Sequence, residues 1–220
     1  GNVHAKPESF AKPDMSVLLP LLDAGKVLAY CHSHPNALNA PSACDMRAQM
    51  EMAVPFAIIA TNGQGCFKPF AFGDQLDISH PLLGRPFRHA VTDCFEEIRD
   101  HRLLTFGERL PNFARDWGWW EKPNTDFYQR FYSEAGYAPI KPQLDGLQAG
   151  DIALCQVGSS KRTRWWNHAL IFDGAQRVLH HASDANRPYS PTCLSRRDYL
   201  EQWTPFIRQW VRRPVPRAST

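Results

Sequence analysis

The chain has 220 residues, 43% of them hydrophobic and 21% charged, with a formal net charge of +3. That length suits one large domain or two small ones, each able to bury a core, and the composition excludes a fibrous or low-complexity protein. The longest clean apolar runs, such as VPFAIIA at 54–60, are far too short to span a bilayer.

No basic-then-apolar leader follows Gly1, so no secretory signal is expected. Six cysteines (Cys31, Cys44, Cys66, Cys94, Cys155, Cys193) form no C-x-x-C pair. They are expected as reduced thiols, as in a chain made in a cytoplasm.

In chain order, DMSVLLPLLDA at 14–24 predicts a short amphipathic helix stopped by Gly25. KVLAYC is a predicted strand, and HSHP leaves its end. SACDMRAQMEMA predicts a second helix, opened by Ser42 and Asp45 as an S-x-x-D capping pair. PFAIIAT and CFKPFAF predict two strands joined across NGQG. The first part is thus α–β–α–β–β, and a boundary is expected near residue 78. Beyond it, HAVTDCFEEIRDHRLL predicts a helix, followed by an aromatic stretch with two or three short helices. GDIALCQV, HALIFD and RVLHHAS then read as strands, the last two joined by DGAQ. Helices first and an antiparallel sheet afterwards is an α+β order.

Charge is uneven. Residues 1–78 hold five Lys/Arg against seven Asp/Glu, and residues 79–220 hold twenty against fifteen. Between Arg196 and Arg217 stand six arginines and two acids, interrupted by Trp203, Phe206 and Trp210. That pattern predicts a half-buried helix with a basic outer face rather than a nucleic-acid surface.

Asp93 fits the N-cap of the helix at 94–104, with Glu96 three positions on to complete a capping box. Cys94 then stands in the first helical turn, where unpaired N–H groups and the dipole favour a thiolate. A nucleophile needs a proton acceptor and a group to orient it. His168 opens one predicted strand and His180 closes its neighbour, so a hairpin brings them roughly opposite one another. His168 is the candidate base and His180 the candidate orienting group.

VTDCFEEIRD, QAGDIALCQ, NHALIF and VLHHAS also resemble the NlpC-type cysteine peptidases, a papain-like family that cleaves peptide stems of bacterial cell wall. The resemblance implies Cys94 as nucleophile and His168 as base. It implies His180 as third residue when spaced without a gap, and His181 if HAS aligns one residue later. Phe95-Glu96 stands where many members have Ser-Gly.

His32-x-His34-Pro35, six residues, Ser42-x-x-Asp45 is the pattern of the JAMM metallopeptidases. Two histidines two apart on an extended segment project to one side. With Asp45 they make three ligands of a zinc site with an open fourth position. The plainer account is that Ser42 and Asp45 only cap a helix. The family's general base is a glutamate on an upstream strand, and here the only upstream glutamate is Glu8, inside AKPESFAKP. The carrier strand is therefore expected to be missing, leaving a site that binds zinc but does no peptide chemistry alone.

A JAMM-like unit followed by an NlpC-like unit resembles the tail-tip assembly protein K family of lambda-like bacteriophages. The fold class expected is α+β: an incomplete JAMM-like α/β unit over 1–78, then a papain-like NlpC-type domain over 79–220. The resemblance implies a cysteine endopeptidase cleaving peptidoglycan stem peptides during tail assembly or genome entry. It would be made in the host cytoplasm and act from the virion tail tip in the periplasm or wall. Its partners would be other tail-tip proteins and peptidoglycan, with no nucleic acid and no membrane-spanning segment. The alternatives are a non-catalytic structural tail-tip part with vestigial sites, or a JAMM-type zinc isopeptidase.

Overall fold

A computed structural model describes residues 3, 13–35, 38–78, 81–123, 125–158, 165–183 and 187–214. The chain is α+β and divides into two compact units, 1–79 and 80–220.

The first unit opens with α1 (Met15–Asp23), capped by Asp14 and followed by Gly25 at φ +64°. None of the α1 residues is buried. Strand β1 (Tyr30–His34), helix α2 (Ala43–Met52) and strand β2 (Phe56–Ala60) form a crossover with β1 and β2 parallel. Strand β3 (Phe70–Phe72) pairs antiparallel to β2. β1 begins four residues later than KVLAYC suggests and carries both histidines within it. Its register explains this: Tyr30 pairs with Phe56, the first residue of β2, and the Lys26 amide is used by Leu21 at the end of α1. Phe56, Ile58, Ala60, Met46 and Phe72 make the core.

The second unit has β4 (Pro86–Arg88), α3 (Cys94–Phe106), α4 (Phe127–Glu134), β5 (Ala138–Ile140) and α5 (Pro142–Asp145). Then follow β6 (Ile152–Cys155), β7 (His168–Gly174), β8 (Arg177–His180), β9 (Tyr189–Leu194), β10 (Arg196–Tyr199) and β11 (Ile207–Arg212). Six strands form an antiparallel sheet in the order β10-β8-β7-β6-β11-β5, while β4 pairs with β9. Period-2 alternation sorts the sheet's side chains onto two faces. Ile152, Leu154, Ala169, Ile171 and Val211 pack with Phe95 and Ile98 of α3 and Tyr128 and Phe131 of α4. Ala153, Cys155, Leu170, Phe172 and Val178 pack on the other side with Trp203 and Trp210. Because both faces are covered, every residue of β6 is buried.

The C-terminal segment is not the expected helix. It forms β10, two 3₁₀ turns (Leu200–Gln202 and Thr204–Phe206) and β11. Pro205 stands where a continuous helix would need an N–H, and Trp210 and Val211 alternate between the two cores. No helix among the described residues is long and apolar enough to cross a membrane.

Candidate active site and candidate metal centre

The second unit builds its site on the start of α3. Asp93 is the N-cap: its Oδ1 accepts from the amides of Phe95 and Glu96 at 3.1 and 3.0 Å. The expected capping box does not form, because the Glu96 carboxylate is taken by Arg99 at 2.6 Å and Arg115 at 3.2 Å. Arg115 also grips both oxygens of Asp93 at 2.9 Å, and that pairing outweighs burial to hold the carboxyl far below its usual range. Cys94 is thereby fixed at the first helical position, with its sulfur 3.1 Å from the Tyr128 hydroxyl. Among the described residues its backbone N–H is the amide of this turn that neither Asp93 nor the helix uses.

The thiolate expected at this helix start is not the resting form. Burial, and after it the neighbouring Asp93 carboxylate, push the Cys94 thiol up to about 12. Burial also holds His168 well below the usual imidazole range. The pair rests as a neutral thiol and a neutral imidazole.

Cys94 and His168 line one cleft, walled by Trp117, Trp119, Trp120 and Phe127. His180 stands behind His168, with its Nδ1 3.2 Å from His168 Nε2. The two are diagonal rather than opposite: β7 pairs with β8 through Ile171–Leu179 and Phe172–Val178, so both histidines fall on one face two positions out of step. Trp203 covers both rings, at centroid distances of 5.2 and 4.4 Å. His180 Nε2 lies 2.8 Å from Asp198 on β10. His181, one residue past the end of β8, packs edge-on to Phe87 and bonds the Cys193 carbonyl at 3.0 Å. It lines the cleft but does not meet His168 as His180 does. Sequence reasoning missed Tyr128, Arg115 and Asp198. Each comes from a distant element, and no spacing rule ties them to Cys94.

In the first unit, β1 and the start of α2 bring His32, His34 and Asp45 together. His32 Nε2 lies 3.0 Å from Asp45 Oδ1, His34 Nε2 lies 3.2 Å from Asp45 Oδ2, and the two Nε2 atoms are 3.1 Å apart. Asp45 also completes a capping box with Ser42, so the capping role and the ligand cluster coexist. The Ser42 hydroxyl is committed to Asp45 Oδ2 at 2.7 Å. Burial opposes ionisation of Asp45, yet hydrogen bonds from His32, His34 and Ser42 hold its carboxyl far below the usual range.

The donor set fits zinc. Tetrahedral bonds of about 2.1 Å set donor atoms roughly 3.4 Å apart, a few tenths of an ångström more than the three spacings here. His34 Nδ1 faces the Leu38 carbonyl at 2.8 Å, which leaves Nε2 free to ligate. His32 Nδ1 is buried with no partner among the described residues. Glu8, the one glutamate upstream of the histidines, lies outside the described residues.

The chain is 32% identical over 196 residues to tail tip assembly protein K of Escherichia phage lambda, covering 89% of this chain and 86% of that protein. It is 32% identical over 180 residues to tail tip assembly protein K of Escherichia phage N15, covering 81% of this chain and 65% of that one. No protein-family model matches the chain.

Proposed function

The chain belongs to the tail tip assembly protein K family, and from that premise we propose that this phage tail-tip component is a cysteine peptidase acting on peptidoglycan stem peptides. One observation carries the reading: Cys94, at a helix start, shares a cleft with His168, and His180 backs His168 at 3.2 Å.

The chemistry starts from neutral groups. Cys94 Sγ attacks the scissile carbonyl carbon as its proton passes to His168. The oxyanion that forms meets the unused Cys94 amide at the positive end of α3. His168 returns the proton to the leaving amine, the C–N bond breaks, and a thioester remains. Water, deprotonated by His168, then cleaves the thioester and regenerates the thiol. The aromatic walls exclude solvent and offer apolar contact to the peptide.

In the first unit, His32, His34 and Asp45 are the residues that would hold a zinc ion. Such an ion supplies Lewis acidity and an activated water. These residues also tie β1 to the start of α2, and that is the role we assign them in tail assembly.

A second reading has a specific observation in its favour. The high Cys94 pKa suits an inert thiol in a purely structural tail-tip part. Digestion of purified peptidoglycan separates the two. The peptidase reading expects new amino and carboxyl ends within stem peptides by mass spectrometry, with release blocked by thiol alkylation; intact stems would support the structural reading.

A further inference from the structure

Three donors converge on one carboxylate beside the candidate site. Asp198 Oδ2 is 2.8 Å from His180 Nε2 and 3.2 Å from the Trp203 indole N–H, and Arg196 Nε lies 3.2 Å from each Asp198 oxygen. Strand pairing builds this arrangement. β10 pairs with β8 through Arg196–His180 and Asp198–Val178, so Asp198 and His180 share a sheet face one diagonal step apart.

We propose that Asp198 is a positioning residue that, through His180, holds His168 in the tautomer protonated on Nε2, so that Nδ1 is its proton-accepting nitrogen. This rests on the peptidase reading for its catalytic consequence, but not for the tautomers themselves. An ionised carboxylate only accepts hydrogen bonds, and with two other donors on it Asp198 stays ionised. His180 must therefore donate from Nε2. A neutral imidazole has one N–H, so His180 Nδ1 is an acceptor. The 3.2 Å contact between His180 Nδ1 and His168 Nε2 then requires His168 to be the donor. One proton arrangement satisfies every contact in the chain. The reverse arrangement needs a protonated Asp198, against the pull of Arg196, Trp203 and His180, which hold its carboxyl low despite burial. Burial brings His180 down to about 4, which keeps it neutral at physiological pH.

The consequence is directional. His168 has one nitrogen engaged by His180 and the other holding a lone pair, the form a base for Cys94 needs. Trp203, over both rings and on Asp198, holds the relay out of water. In this respect Asp198 takes the part of the carboxylate in a Ser-His-Asp site, one residue further from the nucleophile.

The test is ¹⁵N NMR of the histidine side chains in the full chain at neutral pH. His168 and His180 should both show protonated Nε2 and unprotonated Nδ1; either ring protonated on Nδ1 in the wild-type protein overturns the proposal. In Asp198→Asn the new amide N–H₂ competes with the donors around it, and His180 should shift toward the Nδ1–H form. Turnover of peptidoglycan should fall about tenfold to a hundredfold with KM within about twofold. Unchanged tautomers in a folded Asp198→Asn protein would also overturn it. Activity that persists in Cys94→Ala would instead defeat the peptidase reading, leaving the tautomer result to stand by itself.

Discussion

The Cys94 sulfur lies 3.1 Å from the Tyr128 hydroxyl, a contact between the first turn of α3 and the first turn of α4. Burial pushes the Tyr128 hydroxyl well above its usual range, so it remains an O–H that can donate to sulfur. That donation leads the influences that lower the Cys94 pKa, ahead of the Ala169 amide and Arg115. Tyr128→Phe should therefore slow alkylation of Cys94 by iodoacetamide and cut turnover about tenfold. The fold should lose only about 1 kcal/mol, the net worth of one hydrogen bond. In the wild-type protein, Cys94 should label more slowly at pH 7 than the exposed Cys31, Cys44 and Cys66. An alkylation profile for Cys94 that inflects below pH 8 would contradict the neutral resting pair.

The two adjacent histidines should separate cleanly. His180→Ala should reduce turnover strongly but incompletely, because orientation is lost while His168 remains. His168→Ala should remove it. His181 is fully buried against Phe87 with its Nε2 on a carbonyl, so His181→Ala should cost about 2 kcal/mol of stability. Denaturant melts and initial rates on the three variants are the comparison. Full activity in His180→Ala would remove it from the site.

Acid should loosen the second unit through these same rings. His180 is fully buried, and its pKa is lowered to about 4 from an ordinary 6.5. Between those values the unfolded chain binds the proton and the folded one does not. The contribution is full above about pH 6.5 and is lost as pH falls toward 4, by about 3 kcal/mol. Glu97, which burial pushes up to about 7 against the pull of Arg85, acts with the opposite sign from about 4.5 to 7. The informative quantity is thus the difference between wild type and His180→Gln. The variant should lose less stability than wild type between pH 6.5 and 4, and parallel curves would contradict this.

Zinc should bind the first unit and raise its melting temperature. At a hundredfold excess over Kd, linkage gives about 2.7 kcal/mol. His32→Ala is the best control, since the His32 ring makes no other hydrogen bond through Nδ1 among the described residues. It should abolish both the zinc content by elemental analysis and the thermal shift. Asp45→Ala would confuse the result by removing the N3 half of the α2 capping box, whose N-cap is Ser42.

Much of this was legible in local sequence. Ser42 and Asp45 announced α2, Asp93 announced α3, and DGAQ announced the β7–β8 turn, because caps and turns are short-range chemistry. The His-x-His pair was legible as a spacing, though its place inside β1 depended on the register with β2. The C-terminal segment was misread because Trp210 and Val211 alternate between two cores, and from sequence that alternation is hard to tell from a helical stripe around Pro205. The Cys94 thiolate was misjudged for a related reason. A helix dipole is visible in sequence, whereas the burial that overrides it comes from packing with α4 and the sheet. Asp198 was invisible because its relation to His180 exists only once β10 pairs with β8.

The most direct measurement compares four proteins on the same peptidoglycan: wild type, Cys94→Ala, His168→Ala and His34→Ala. Stem-peptide fragments are quantified by mass spectrometry. Wild type and His34→Ala should release them at similar rates, and Cys94→Ala and His168→Ala should release none. Release by Cys94→Ala, lost in His34→Ala, would contradict the account and place the chemistry in the first unit.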